Sequence, residues 1–272
     1  SNKNKFPLLD PSCGSGIFLV EALRRLIERN LEESEYFSND QELVALLTDH
    51  IYGIDKNPEA IDVAIFSLYL TLLDYKDPKS LQNFKLPILK QKNFFTCDFF
   101  SDVVDKKLQG IHFNFIVGNP PWGYVNDKLH IEYCKKHDIP THKKEISRSF
   151  IARTKDFSTK DTQCCLIVHS KLFYNSANPA KAFREWLLSR SIVSRFMEFA
   201  PVRHLVFKNA TAPAAVVFYS YNDLQVKDNQ LEHLTIMPHL LFELFHTIII
   251  EPTDRKMIPQ QLLLENDWAW KT

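Results

Sequence analysis

The segment VGNPPWG, at residues 117–123, combines a carboxamide, two prolines and an indole directly after an apolar run. Asn119 precedes a proline, which disfavours the α region and holds Asn119 in an extended conformation. Pro120 and Pro121 each fix φ near about −65° and lack an N–H group. We therefore predict a stiff arm with two outward-facing acceptors, the side-chain oxygen of Asn119 and the carbonyl oxygen of Pro120.

Two acceptors at fixed positions can take both hydrogens of a planar amino group. Such a nitrogen is a poor nucleophile because its lone pair is delocalised into its ring, and holding both hydrogens draws it toward tetrahedral geometry. Trp122 can stack on the same ring, which contributes about 1–3 kcal/mol for a base on an aromatic side chain. The alternative interpretation is a proline turn with a packed tryptophan.

Three aspartates, Asp10, Asp55 and Asp98, each close an expected β-strand. In open parallel sheets, ligands bind beyond the carboxyl ends of the strands. Asp55 can accept hydrogen bonds from both hydroxyls of a ribose, and Asp98 can accept from an adenine amino group while Phe99 covers a ring face. Asp55 could instead be a solvated strand-end acid or a helix cap, and Asp98 a helix N-cap beside core phenylalanines. Together they predict a site for an adenosine-bearing ligand.

The segment LLDPSCGSGIFL, at residues 8–19, is a strand, a glycine loop and the start of a helix. Gly14 and Gly16 let the backbone turn sharply and let a ligand approach the main chain. The alternative is an ordinary βα connection whose glycines serve packing. The loop's position after the first strand favours a binding role.

The elements that must position these residues alternate between strand and helix patterns, which favours βαβ units. We predict a Rossmann-like, doubly wound α/β fold with a mainly parallel seven-stranded sheet and an antiparallel late strand. The expected strands are 7–10, 51–55, one ending near 97, 113–117, 164–168, 192–199 and 214–221. The expected helices are 17–29, 43–47, 58–73 and 180–188. Residues 30–49 are interpreted as an acidic insert and residues 123–147 as a loop.

Composition is that of a soluble globular chain, with 45% hydrophobic and 24% charged residues. No apolar run approaches the roughly 20 residues that span a bilayer, and the five cysteines show neither a disulfide framework nor metal-ligand spacing. We therefore expect a cytoplasmic protein without a metal site, with Cys164 and Cys165 in its core. The 33 basic residues balance the 33 acidic ones, so a nucleic-acid binder would need further basic surface elsewhere.

The motifs DPSCGSGIFL, GIDKNPEAI, CDFF and NPPW, in this order, resemble the γ-group amino-methyltransferases of the DNA adenine-N6 type. The likeness is strongest to type I modification subunits and to fused type IIG enzymes, and it covers residues 8–221. It implies the class I fold with S-adenosylmethionine as methyl donor. By the same resemblance Asn119, Pro120, Pro121 and Trp122 are catalytic, and Trp122 and Phe207 stack on a flipped adenine. The cofactor residues it implies are Asp10, Pro11, Cys13, Gly14, Gly16, Asp55, Lys56, Asp98 and Phe99.

The resemblance also implies an organisation and partners. Residues 1–237 would be the catalytic domain, and residues 238–272 a connecting segment or the start of a target-recognition domain. Double-stranded DNA would be the substrate, with a specificity domain or subunit outside this chain, in a restriction-modification system. A basic cluster could touch phosphate or be a solvated loop face; it comprises Lys135, Lys136, His142, Lys143, Lys144 and Arg148.

Two other interpretations stay open. Protein-glutamine N5-methyltransferases and RNA guanine-N2 methyltransferases also present an Asn-Pro-Pro-aromatic arm. A catalytically silent module that binds S-adenosylmethionine would keep the pocket and lack turnover.

Overall fold

The structure is a computed structural model, and it describes residues 5–34, 37, 39–76, 78–140, 145–206, 213–245 and 247–266. The chain divides into two compact units, Ser1–Gly118 and Asn119–Thr272. In the described part of the chain, no helix is long and apolar enough to cross a membrane.

The first unit contains four parallel strands in the order β3-β2-β1-β4. Their bounds are β1 Leu8–Asp10, β2 Ile51–Asp55, β3 Phe94–Thr96 and β4 Phe113–Gly118. Because the strands are parallel, their carboxyl ends lie at one edge of the sheet. The positions match the predicted strands closely.

Four helices accompany these strands: α1 Ile17–Ser34, α2 Asp40–His50, α3 Pro58–Asp74 and α4 Asp102–Lys107. Helix α1 buries Leu19, Leu23 and Ile27, which recur at helical spacing on one face. Asn57 caps α3 by accepting from the Glu59 amide at 2.9 Å, and Pro58 occupies the first turn.

The prediction of an insert at residues 30–49 is wrong in its boundaries and in the length of its helix. Helix α1 continues to Ser34, and α2 runs from Asp40 to His50 rather than over 43–47. Part of the polar stretch lies at the end of α1, and within α2 Leu43 and Leu47 are buried against the core.

The second unit holds five strands in the order β5-β7-β6-β8-β9. Strand β7 is antiparallel to both β5 and β6, β8 is parallel to β6, and β9 is antiparallel to β8. The bounds are β5 Ser158–His169, β6 Ile192–Glu198, β7 Ala214–Ser220, β8 Gln230–Thr235 and β9 Arg255–Pro259. The predicted antiparallel late strand is therefore confirmed. The described part of the chain has nine strands rather than the seven expected.

The helices of the second unit are α5 Lys128–Lys136, α6 Ile146–Thr154, α7 Lys171–Tyr174, α8 Asn178–Leu188, α9 Arg203–Val206, α10 Leu240–Phe245 and α11 Gln260–Glu265. The loop predicted over residues 123–147 is wrong, because it contains α5. The inner face of α5 is formed by His130, Tyr133 and Cys134 instead of aliphatic residues, so the sequence shows no helical period of hydrophobic residues there. His130 makes hydrogen-bond contacts to Ser149 Oγ at 3.1 Å and to the Val125 carbonyl at 2.8 Å.

The segment after residue 237 contributes α10, β9 and α11, and Gln260 joins it to β6. The fully buried Gln260 side chain accepts from the Val193 amide at 2.9 Å and donates to the carbonyls of Leu188 and Ser191, each at 2.7 Å. The assignment of this segment to a connecting or target-recognition region stays a prediction.

Candidate active site

The carboxyl ends of β1, β2 and β3 bring the three predicted aspartates to one rim of the first unit. Asp10 and Asp55 end β1 and β2, and Asp98 follows β3 by two residues. The Cys97 amide donates to the Asp55 carbonyl at 3.0 Å, which holds the chain ends of β2 and β3 side by side. The parallel order expected from the sequence produces this rim.

Asp10 is a buried carboxyl with one unsatisfied oxygen. Its Oδ1 accepts from the Ser12 amide at 3.0 Å, and only 1% of the residue is exposed. Its Oδ2 has no hydrogen-bond partner among the described residues. Burial, with a smaller contribution from the Asp55 charge, raises the pKa of Asp10 to about 7. Such an orphaned acceptor is suited to a cationic or hydrogen-bond-donating ligand.

The two loop glycines serve different purposes. Gly16, at φ +84°, packs so tightly on α3 that an added Cβ would lie 2.9 Å from the Ala64 Cβ. Gly14, at φ +51°, has no atom within 4 Å of an added Cβ, and its amide donates to Asp55 Oδ2 at 2.9 Å. Packing therefore explains Gly16, whereas Gly14 leaves open space where a ligand can approach the backbone.

Pro11 and Cys13 form the buried wall of this loop. The Cys13 amide donates to the Ile54 carbonyl at 2.8 Å. Burial, together with the neighbouring Asp10 and Asp55 charges, raises the pKa of the Cys13 thiol far above its ordinary value. Cys13 is therefore a neutral packing group and not a thiolate nucleophile.

The remaining rim carboxylates are already oriented by the backbone. Asp55 Oδ1 accepts from the Asn57 amide at 2.8 Å, and Asp98 Oδ1 accepts from the Phe100 amide at 2.7 Å. Lys56 forms an ion pair with Asp98 Oδ2. Phe99 is only 2% exposed, so its ring has little free face for an adenine. The cofactor roles of Lys56, Asp98 and Phe99 stay predictions.

The proline arm begins the second unit, and the structure fixes its far end firmly. Trp122 Nε1 donates to the Ile167 carbonyl of β5 at 3.2 Å, and its ring centroid lies 6.1 Å from that of His169. Gly123, at φ +95°, donates its amide to Glu145 Oε1 at 3.2 Å and accepts at its carbonyl from the Ile146 amide at 3.0 Å.

Along the arm itself, Pro120 is buried whereas Asn119 and Pro121 are exposed. Among the described residues, the Asn119 carboxamide makes no hydrogen bond. The Asn119 amide is therefore presented to solvent, whereas Pro120, which carries the second predicted acceptor, is buried. The catalytic role of the arm stays a prediction.

Glu145 is a site residue that sequence reasoning missed. As the N-cap of α6 it accepts from the amides of Ser147 and Arg148 at 3.3 and 3.2 Å, and it also accepts from Gly123. A carboxylate directly before a helix, here at 146–154, is a capping signal, but the sequence prediction assigns that position to a loop.

The other predicted residues lie outside the described part of the chain, on its surface or in its core. Phe207 lies outside the described residues, as do His142, Lys143 and Lys144 of the basic cluster. Lys135 and Lys136 are exposed at the end of α5, whereas Arg148 is only 3% exposed and is not part of a solvated face. Cys164 is buried in β5, and burial raises its pKa to about 11, as expected of a core thiol.

Comparison with solved structures defines the class of fold. The methyltransferase subunit of a type I restriction-modification system from Streptococcus thermophilus aligns with 98% of this chain and 53% of its own, at a TM-score of 0.63 and 12% identity. A Listeria monocytogenes protein assigned to the class I S-adenosylmethionine-dependent methyltransferases aligns with 100% of this chain and 66% of its own, at a TM-score of 0.54 and 16% identity. The fold is therefore that of the class I methyltransferases, and the predicted fold class is confirmed apart from the strand number.

The family follows from the sequence. The family model of the Eco57I restriction-modification methylases matches residues 49–207, more than half of the chain. The chain belongs to the Eco57I restriction-modification methylase family. The type II restriction enzyme and methyltransferase RM.Eco57I of Escherichia coli is 24% identical over 254 residues, covering 77% of this chain and 24% of its own length. The aligned segment thus spans only about a quarter of the length of this relative.

Proposed function

We propose that this chain is the catalytic part of a DNA methyltransferase that acts on adenine N6 in a restriction-modification system. The observation that carries the proposal is the exposed Asn119 carboxamide, free of hydrogen bonds within the described part of the chain, on an arm clamped at Trp122 and Gly123. Membership of the restriction-modification methylase family supports it.

The rim residues fit S-adenosylmethionine as cofactor. Asp10 Oδ2 is a buried acceptor without a partner among the described residues, and no atom lies within 4 Å of a Cβ added at Gly14. Asp10 and Gly14 would hold the methionine part, Asp55 the ribose and Asp98 the adenine. When bound, the cofactor supplies an activated methyl group on a sulfonium.

The arm would act on the acceptor nitrogen. The Asn119 side-chain oxygen and the Pro120 carbonyl would accept the two hydrogens of the N6 amino group and so localise its lone pair. Because the brace is made before the substrate arrives, the protein contributes mainly positioning, which is worth up to about 7–11 kcal/mol where geometry is tight. Gly118, which ends β4, is bonded directly to Asn119, so the arm starts where a strand of the first unit ends.

The target base must leave the duplex to reach such an arm, at a cost of a few kcal/mol. Trp122 and Phe207 would offset that cost by stacking on the base. The partners in this proposal are double-stranded DNA and a specificity domain or subunit. Residues 1–237 would form the catalytic domain, and the protein would act in the cytoplasm.

The proposal is tested with S-adenosylmethionine carrying a deuterated methyl group, incubated with the full-length protein in parallel reactions that contain plasmid DNA, total RNA or a mixture of proteins. Digestion to nucleosides and mass spectrometry should find the label in N6-methyldeoxyadenosine. Label found only in RNA guanine or in a protein glutamine would overturn the DNA substrate. Cofactor binding without label in any substrate would instead favour the silent module.

A further inference from the structure

A small cavity lies next to the arm in the second unit. It has a volume of about 180 Å³. It is lined by Gly123, Tyr124, Glu145, Arg148, His169, Lys171, Leu172 and Asn175. Gly123 follows Trp122 directly, and His169 contacts the Trp122 ring, so the cavity adjoins the end of the arm that carries the aromatic side chain.

Arg148 is the unusual group in this wall. The residue is 3% exposed, yet its Nε and Nη1 atoms have no hydrogen-bond partner among the described residues. Its guanidinium lies over the Phe183 ring at 5.6 Å, and its Nε is 3.9 Å from Glu145 Oε2, beyond hydrogen-bond distance. A buried cation with unused donors is costly unless a ligand supplies acceptors.

The charges of the cavity favour an anion. Lys171 is exposed at the cavity, and His169 is neutral because burial lowers its pKa. Glu145 is the one carboxylate among the lining residues, and its oxygens already accept from Gly123, Ser147 and Arg148 backbone amides. Two cations therefore face one occupied carboxylate, which leaves the cavity with a net positive charge.

The walls are held in place without a ligand. Arg184 donates to the carbonyls of Leu172 and Asn175 at 3.3 and 2.8 Å and so fixes the α7 side of the cavity. The Lys171 amide donates to His169 Nδ1 at 3.1 Å. The site is thus preformed, as a rigid phosphate contact requires.

We propose that this cavity binds a backbone phosphate of the nucleic-acid substrate, with Arg148 as a two-pronged donor and Lys171 as a second cation. The planar fork of a guanidinium matches phosphate oxygens in pairs. A phosphate held here would fix the strand beside Trp122 independently of its sequence. The inference rests on the proposed function for the identity of the substrate.

The test is binding of the full-length protein to a fluorescein-labelled 30-base-pair duplex of mixed sequence, measured by anisotropy between 50 and 200 mM NaCl. Arg148→Gln should weaken binding about tenfold at 50 mM NaCl, as expected for lost hydrogen bonds to a charged group. The affinity for the duplex should fall as the salt concentration rises from 50 to 200 mM. Each lost phosphate contact should make this fall about 3-fold smaller.

Lys171→Gln should reduce the salt dependence in the same direction, and because Lys171 is exposed this variant stays informative if Arg148→Gln does not fold. Lys160→Gln is the matched control, because Lys160 is exposed on β5 and about 30 Å of strand separates it from His169. The phosphate site would be overturned if Lys171→Gln kept the wild-type salt dependence of binding and Arg148→Gln, where it folds, kept it as well. A fall in methylation would not change this conclusion.

Failure of this inference and failure of the proposed function are distinguishable. A wild-type protein that methylates adenine while the two variants keep the wild-type salt dependence refutes only the phosphate site. If both variants lose duplex affinity and salt dependence as expected but the wild-type protein methylates no adenine, only the proposed function is refuted.

Discussion

The carboxylate rim of the first unit and the proline arm of the second are prepared in opposite ways. In the rim, Asp10, Asp55 and Asp98 each accept a hydrogen bond from a backbone amide close in sequence. In the arm, the backbone is fixed at Trp122 and Gly123, while the Asn119 side chain stays exposed.

This difference suggests a division of labour. Side chains whose bonds are largely made before a ligand arrives present a fixed shape and charge, which suits tight cofactor binding. An exposed amide on a braced backbone makes its interactions only with the substrate, and such interactions lower the barrier to reaction. Variants of the rim should therefore change cofactor affinity, and variants of the arm should change turnover.

The largest effect is expected from Asn119→Ala. Removing one of two acceptors leaves the amino group unpolarised, so we expect methyl transfer to fall by at least about 100-fold, by analogy with loss of a preorganised transition-state contact. Initial rates of label transfer at saturating cofactor measure this. Asn178→Ala, at an exposed position in α8, is the control and should keep the wild-type rate.

Asp55→Ala should weaken S-adenosylmethionine binding by about 10- to 100-fold, since hydrogen bonds to a charged group contribute about 1.5–3 kcal/mol. Isothermal titration calorimetry gives the affinity. Asp62→Ala, which removes an exposed α3 acid paired with Lys90 at 2.6 Å, should bind as the wild type does. An unaltered titration of Asp55→Ala would remove Asp55 from the pocket.

Glu145→Ala tests whether the clamp on the arm matters for turnover. The variant frees the Gly123 amide and uncaps α6, so we expect kcat to fall about tenfold through misplacement of the arm, with cofactor KM unchanged. Glu145→Gln keeps one acceptor oxygen and should recover part of the rate. Glu132→Ala, an exposed α5 acid, is the control. Equal losses in kcat and cofactor affinity would indicate general destabilisation instead.

The smallest effect concerns pH. Because burial raises the pKa of Asp10 to about 7, its charged form, which attracts a cationic cofactor, becomes populated as pH rises through 7. Cofactor affinity should rise about 3-fold between pH 6.5 and 7.5 and then level off. Between about pH 4 and 7 the folded state holds a proton that the unfolded state has lost, so Asp10 contributes a decrease in stability as pH rises through this range. Asp10→Asn should flatten both curves; a retained slope in affinity would exclude Asp10.

The sequence predicts the rim well because its signals are local. Asp10 and Asp55 end short apolar runs, and Gly14 and Asn57 stand near the helix starts, so strand positions and helix caps follow from neighbouring residues. The arm is equally readable, because two consecutive prolines restrict the backbone wherever they occur.

The parts that were missed depend on distant partners. Helix α5 buries His130 beside Ser149, so its inner face carries a polar side chain that a residue of another helix satisfies. Strand β9 ends next to the buried Gln260, which accepts from the Val193 amide far earlier in the chain. A hydrophobic period cannot reveal such faces. The sequence places Arg148 in a basic loop cluster that could touch phosphate or face solvent, and only the fold shows that it is buried beside Phe183 in the cavity wall.

The separation of roles is tested most directly by titrating S-adenosylmethionine into Asn119→Ala without DNA, and by assaying Asp55→Ala at rising cofactor concentration. We expect wild-type affinity for Asn119→Ala, and recovery of most of the wild-type rate by Asp55→Ala once the cofactor saturates. Loss of affinity in Asn119→Ala, or a rate in Asp55→Ala that excess cofactor leaves unchanged, would contradict the separation of roles.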